Sequence, residues 1–302
     1  MKVTTIAVHS GKFHTDDALS VAILGMVYDT YEIIRTRDPK VMAEADLRVD
    51  VGATYDPAVG TYDHHQEGGA GCRSNGIPYA AAGLIWKHFA EQGGVHADVV
   101  AAVDEHFVQY VDASDNGFDL ATVKPEFAGM TPGYSFSAFI SALNPTWRED
   151  QSPEAQQRSF ERAVEVATLA LEREILSAQA LCDARTDVRA AVAQAEAEGH
   201  PAIVVLGKAV PWHETLVPAS ETALYVLFPS PDTGWMVQCV PPQLGSFAQR
   251  KPLPKRLAGL RGDDLAAATD IADAVFVHPG QFIGGCKTLD GALKLARIAV
   301  AE

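Results

Sequence analysis

Cysteine is scarce in this chain: four residues in 302, at positions 72, 182, 239 and 286, with no C-x-x-C pair among them. That spacing argues against a thiolate zinc site and a disulfide scaffold. It fits a reducing compartment, with the four as small buried apolar side chains. Long apolar runs are also missing, since nothing approaches the roughly 18–20 unbroken apolar residues of a membrane span. The opening Met-Lys-Val-Thr-Thr-Ile-Ala-Val-His has no long apolar core and no small-residue cleavage site. A soluble, cytoplasmic protein with no membrane partner is expected. Positive charge is the third shortage, with 24 Lys+Arg against 39 Asp+Glu leaving a net −15. Non-specific nucleic-acid binders are usually basic, so this balance counts against a generic grip on duplex DNA. It leaves room for a short phosphate-bearing substrate at a local basic patch.

What is present is globular: 47% hydrophobic and 21% charged residues, in a length that holds two domains. Residues 3–9, 31–36 and 47–52 read as strands and alternate with helical patterns such as 16–28 and 78–91. That predicts the α/β class, with a mainly parallel, doubly wound sheet in an N-terminal domain over 1–150. Ligands of such sheets sit beyond the carboxyl ends of the strands, where His9 and Asp50 fall. Ser152 as N-cap, Pro153 at the first helical position and a stop at Gly199 and Pro201 predict a long connecting helix over 151–199. A break near Cys182–Asp187 is left open. Short apolar runs at 202–209, 223–229, 235–240 and 274–278, then a helix over about 288–301, predict a smaller α/β domain over 200–302.

Four clusters carry chemistry: His9-Ser-Gly-Lys-Phe-His14-Thr-Asp16-Asp17, then Asp50, then Asp63-His64-His65-Gln66, then Asp112-Ala-Ser-Asp115-Asn-Gly. Singly, each has an ordinary structural explanation as a strand-end histidine, a cap or a turn. Together, about three His and three or four Asp exceed what one cation needs, so two ions sharing a bridging carboxylate are expected. Imidazole with carboxylate suits manganese, iron, cobalt or zinc, whereas magnesium alone rarely recruits histidine. Two ions roughly 3.5–4 Å apart clamp a phosphoryl group and generate hydroxide at neutral pH. Asp17 reads equally well as solvated helix-start charge and is left out of the set.

These clusters resemble, in order, the motifs of the Asp-His-His (DHH) phosphoesterase superfamily. Longer strings narrow the resemblance: His9-Ser-Gly-x-Phe-His14-x-Asp16, Arg35-Thr-Arg37-Asp38, Asp50-Val-Gly, Tyr62-Asp-His-His-Gln66 and Leu143-Asn-Pro-Thr-Trp147. With Pro211-Trp212, Leu253-Pro254, Gly259-Leu-Arg261, Phe276-Val-His278 and Gly284-Gly285, they are similar to the melanocyte proliferating gene 1 (Myg-type) exonuclease family nearly end to end. The resemblance implies a metal-dependent 3′-to-5′ exonuclease acting on single-stranded RNA or short oligonucleotides, with two Mn2+ as the expected cofactors. It implies a first metal on His9, His14 and Asp50, and a second on Asp16, Asp50, His64 and Asp112, with Asp115 the alternative last ligand. His14 stands where the wider superfamily has an Asp, which lowers the site's negative charge. In the expected mechanism His65 donates to a phosphate or leaving oxygen, and Asp63 orients an imidazole.

Residues 250–261 hold five basic residues and no acid in an otherwise acidic protein. Arg250, Arg256 and Arg261 are expected to grip substrate phosphates. His278, Gly284, Gly285 and Lys287 form an expected Gly-rich, phosphate-cradling turn ahead of the last helix. Two other functions use the same residues: hydrolysis of a small phosphoanhydride or phosphate ester such as pyrophosphate, and non-catalytic metal binding in regulation. Whether the chain forms a homo-oligomer is left open.

Overall fold

The computed structural model describes residues 3–118 and 134–302, in an α/β fold. It divides into two compact units, 1–179 and 180–302. Among the described residues no helix is long and apolar enough to cross a membrane.

The first unit is built on a five-stranded sheet: β1 (Thr4–Val8), β2 (Tyr31–Arg35), β3 (Leu47–Val49), β4 (Tyr55–Asp56) and β5 (Thr61–Tyr62). Its spatial order is β2-β1-β3-β5-β4, parallel except for β4, which closes one edge antiparallel to β5. β1 is Thr-Thr-Ile-Ala-Val, β-branched residues with Ile6, Ala7 and Val8 fully buried, as a central parallel strand requires. α1 (Thr15–Gly25) is buried from Thr15 through Leu24, its aspartates included. It packs on α3 (Ala81–Phe89) and α5 (Gln109–Asp115). The short α2 (Pro39–Glu44) ends at Ala45, which packs with Ala7 and Val51. α4 (Ala97–Val103) runs into one π-helical turn, Asp104–Val108, before α5. Such turns often sit at functional sites, and this one leads directly to Asp112 and Asp115. α6 (Phe136–Ser141) follows.

α7 (Pro153–Ala197) is one unbroken 45-residue helix, without the break left open near Cys182–Asp187. Ala184 and Val188 stay buried there and continue the apolar stripe, so nothing in packing favours an interruption. The second unit holds another five-stranded sheet: β6 (Ile203–Val205), β7 (Tyr225–Ser230), β8 (Gly234–Cys239), β9 (Ala274–Val277) and β10 (Ile283–Cys286). Its order is β6-β7-β8-β10-β9, antiparallel except between β6 and β7. One face packs Tyr225, Leu227 and Val237 with Leu265 of α9 (Gly262–Thr269) and Leu295 of α10 (Leu289–Ala301). The other packs Val204 and Val226 with Val188 and Val192 of α7 and Leu216 of α8 (His213–Ala219).

Candidate metal centre

Strand register sets the site. Val8 pairs with Arg35 on one side and Val49 on the other, and Val49 pairs with Tyr62. One residue further along each strand stand Thr36, His9, Asp50 and Asp63, side by side on the carboxyl edge of the sheet. The last three are only 3%, 3% and 2% exposed. Asp50 is the hub. Its Oδ2 lies 3.4 Å from His9 Nε2, and its Oδ1 lies 3.4 Å from His64 Nε2 and 3.3 Å from His65 Nδ1.

Helix starts complete the cluster. Asp17, in the first turn of α1, accepts from His14 N at 2.8 Å and lies 2.9 Å from His9 Nε2. Asp16, fully buried, accepts from Ala81 N at 3.0 Å and Ala82 N at 2.6 Å. It thereby caps α3, whose own N-cap residue Ala80 has no side chain able to do so. Asp115, at the end of α5, brings Oδ2 to 3.2 Å from His64 Nε2 and Oδ1 to 3.7 Å from His14 Nδ1. Three donor sets result: His9, His14, Asp17 and Asp50; Asp50, His64 and His65; Asp16, His64 and Asp115. Within each, the donor atoms lie within 4.8 Å of one another.

Hydrogen bonds fix how the rings face. His9 Nδ1 lies 3.2 Å from Ser10 O, and since a carbonyl only accepts, Nδ1 carries the proton of the neutral ring, which leaves Nε2, once deprotonated, with its lone pair toward Asp17 and Asp50. Asp63 Oδ1 lies 2.7 Å from His65 Nδ1 and accepts from His65 N at 3.0 Å, while Oδ2 accepts from Ala53 N at 2.6 Å. Asp63 therefore orients one imidazole and anchors the loop after Asp50.

The cluster demands positive charge. Burial alone would lower His9, but the Asp17 and Asp50 carboxylates beside it carry it to about 10. Burial opposes His64 in the same way, and Asp115 and Asp50 carry it to about 11. Asp50 lifts His65 to about 9 against partial burial, with help from Asp63. Burial would raise Asp50 itself, yet the imidazoles of His64, His65 and His9 beside it hold it well below the usual carboxylate range. Burial raises Asp16 well above that range, with Asp50, Asp115 and Asp112 adding to it. Asp17 rises to about 6, again chiefly through burial. Divalent cations meet such a demand by displacing protons from imidazole. Geometry fits them too: Asp50 Oδ1, Asp17 Oδ1 and His64 Nε2 are buried and have no hydrogen-bond partner among the described residues. Lone-pair atoms crowded without hydrogen bonds between them suit a shared cation, and the nitrogen–oxygen donor set suits a mid-row divalent metal.

Of the first-unit residues singled out from the sequence, the structure brings together His9, His14, Asp16, Asp50, Asp63, His64, His65 and Asp115. Asp112 stands in none of the donor sets. Its Oδ1 accepts from Gly83 N at 2.9 Å, and its Oδ2 lies 2.8 Å from Arg73 Nη1. Burial lifts its carboxyl to about 7 against the pull of Arg73. Arg73 also grips Asp104, with Nε and Nη2 donating at 2.8 and 2.7 Å, and so ties the π-helical turn to α5. Sequence reasoning missed Arg73 and passed over Asp17. For Asp17 a signal existed, because Ala18–Leu24 is apolar but for Ser20 and leaves α1 no solvated face. Arg73 follows from no motif.

In the second unit, Arg250 donates to the carbonyls of Val217, Ser220 and Ala223, closing the C-terminal end of α8. Arg256 bonds Glu302 and, at 2.7 Å, Ala268 O near the end of α9. Cations commonly stabilise helix C-termini in this way. Arg261 lies over the Phe276 ring at 5.7 Å. His278 Nδ1 accepts from Gly280 N at 2.9 Å, and Lys287 has an exposed side chain. The run expected as a Gly-rich turn is strand β10, in which Gly284 and Gly285 pair on both sides with β8 and β9. Glycine is needed there for packing: a Cβ on Gly285 would lie 2.5 Å from Thr233 Cγ2, and one on Gly284 3.0 Å from Phe276 O.

Comparison with known proteins agrees over the whole length. The family model MYG1_exonuc, described as "Uncharacterised protein family (UPF0160)", matches residues 5–300. The MYG1 exonuclease of Homo sapiens is 36% identical over 98% of this chain and 86% of its own length. That of Rattus norvegicus is 36% identical over 98% and 84%. MYG1 protein YER156C of Saccharomyces cerevisiae is 32% identical over 98% and 95%. No solved structure matches the chain. With its strand-edge histidine and aspartates, and with relatives aligned across both units, the chain belongs to the MYG1 exonuclease family.

Proposed function

We propose that this protein is a metal-dependent phosphodiesterase, a 3′-to-5′ exonuclease on RNA or short oligonucleotides, with the first unit a DHH-type catalytic domain. One observation carries the reading: Asp50 turns its two carboxylate oxygens toward different imidazoles, His9 on one side and His64 on the other. A carboxylate placed so is suited to bridge two cations. The first would be held by His9, His14, Asp17 and Asp50, the second by Asp16, Asp50, His64 and Asp115. The exonuclease name of the mammalian relatives supports the same chemistry.

Divalent cations in such a site supply Lewis acidity toward phosphoryl oxygens and make water a nucleophile at neutral pH, with manganese the best candidate. The chain's own residues do the rest. Ser10 O keeps the His9 proton on Nδ1. Asp16 is fixed by two α3 amides, so its oxygens are placed before any substrate arrives. His65, with Nδ1 turned to Asp63 and its side chain 58% exposed, presents Nε2 outward. Held through Nδ1 by Asp63 at 2.7 Å, it is placed to give a proton to the leaving oxygen.

The test compares labelled single-stranded RNA with pyrophosphate in the presence of Mn2+, using the native chain and Asp50→Asn. Stepwise shortening of RNA from its 3′ end is expected, and Asp50→Asn is expected to lose both bound manganese and turnover. Full activity in that variant, or turnover of pyrophosphate alone, would overturn the reading.

A further inference from the structure

Beside the metal cluster, on the β2 side of the same sheet edge, lies a cavity of about 560 Å3. Its walls include Ser10, Arg35, Glu154, Gln157, Arg158 and Glu161. Ser10 directly follows His9, and Arg35 ends β2 in register with Val8. The cavity therefore opens one strand over from the first donor set, where parallel α/β sheets hold their ligands.

Its framework is built rather than incidental. The Arg35 guanidinium lies 5.6 Å from the Phe13 ring centroid and 5.0 Å from that of Phe160. It donates to Gly11 O and, at 3.2 Å, to Gln156 O, so the metal-binding loop and the start of α7 are fastened together. Arg35 Nε is buried and has no hydrogen-bond partner among the described residues. Asn144 adds a second fastening, accepting from Phe13 N at 3.0 Å and donating to Phe13 O at 2.9 Å.

The lining tells what fits. The walls include two guanidinium groups and two carboxylates, so they carry no net charge and offer no particular pull on a further phosphate. They do offer donors and acceptors in fixed places. Gln157 Nε2, for instance, donates to Glu161 at 2.9 Å, which sets amide and carboxylate side by side. A volume within the usual range of small-molecule sites, walls rich in hydrogen-bonding groups and no net charge suit an uncharged, polar, ring-bearing body. We infer that this cavity is the subsite for a nucleoside of the substrate, seated beside the phosphodiester that the metal cluster acts on. The assignment rests on the phosphodiesterase reading for its place in the reaction, and on the cavity alone for the binding.

Gln157→Trp, at a half-buried position of α7 that lines the cavity and stands in none of the metal donor sets, would fill the cavity. Two measurements on the full-length chain separate the two claims. Equilibrium dialysis of adenosine, in EDTA and so without metal, is expected to show binding to the native chain and at least tenfold weaker binding to the variant. With Mn2+, the variant is expected to raise KM for a short RNA by about tenfold, equivalent to about 1.4 kcal/mol. Mn2+ affinity, read by isothermal titration, should stay at the native level, since Gln157 stands in none of the metal donor sets. Equal adenosine binding by both proteins, an unchanged KM for the RNA, or an equal loss of Mn2+ affinity in the variant would overturn the subsite. If RNA is not hydrolysed by the native chain while adenosine still binds in a Gln157-dependent way, the phosphodiesterase reading fails and the nucleoside site stands.

Discussion

The amide of Gly83 donates to Asp112 at 2.9 Å, and a methyl group on Gly83 would fall 1.8 Å from the other oxygen of that carboxylate. The first three amides of α3, on Ala81, Ala82 and Gly83, are thus all taken by carboxylates from other helices, Asp16 and Asp112. The positive end of the α3 dipole faces two fully buried acids. Gly83→Ala should push Asp112 off both α3 and Arg73, destabilising the protein by about 1–3 kcal/mol through overpacking. Thermal unfolding measures this, and an unchanged midpoint would contradict so tight an approach.

Asp63 touches the chemistry only through His65 and the Ala53 amide. Asp63→Asn keeps the shape but removes the charge that holds the His65 proton on Nδ1. Turnover should fall by roughly 10²–10⁴, the usual worth of a positioned proton donor, while manganese affinity changes little. Isothermal titration beside steady-state kinetics distinguishes the two effects. A large loss of metal with little loss of kcat would place Asp63 among the ligands instead.

Metal uptake should release protons. His9 and His64 are held protonated up to about 10 and 11, so at pH 7.5 a cation must displace protons from both. Affinity for Mn2+ should therefore climb as pH rises from 6.5 to 8.5. Titrations in buffers of differing ionisation enthalpy should report net proton release. A pH-independent affinity would show that these imidazoles do not meet the metal.

The cysteines give an independent check on the fold. Burial pushes Cys239 and Cys286 each up to about 12, whereas Cys72 is exposed. A raised thiol pKa means a neutral, unreactive sulfur until pH nears that value. Iodoacetamide should label Cys72 at pH 8 and leave Cys239 and Cys286 intact even at pH 10, as read by peptide mass mapping. Early labelling of Cys286 would mean that β10 is not the covered strand described above.

Much of the first unit was legible in the sequence because the signal was local. Apolar, β-branched strands running into polar residues placed His9 and Asp50 at the carboxyl edge, and the Ser152-Pro153 start with the Gly199 and Pro201 stop placed α7 almost to the residue. What escaped depended on partners distant in the chain. β4 and β5 are two residues each, too short for any pattern to register. Gly284-Gly285 has turn propensity, yet pairing with β8 and β9 overrides it, because only glycine fits under Thr233 and against the Phe276 carbonyl. Arg250 and Arg256 read as a basic patch, while in the fold they meet helix-end carbonyls that no linear pattern marks. Asp112 and Asp115 differ by less than one helical turn, and only the position of Arg73, 39 residues earlier in the chain than Asp112, assigns them different neighbours.

Asp50 has a backbone φ of +53°, a left-handed conformation that most side chains adopt only at a cost of about 1–3 kcal/mol. Aspartate and asparagine are the non-glycine residues most at ease there. The position thus screens its occupants twice, once for shape and once for charge, and asparagine passes the first screen while failing the second. A descendant that had abandoned hydrolysis would keep its architecture most readily by exchanging a single oxygen for nitrogen at this point. Retired members of such a lineage should be recognisable by asparagine at the end of their third strand.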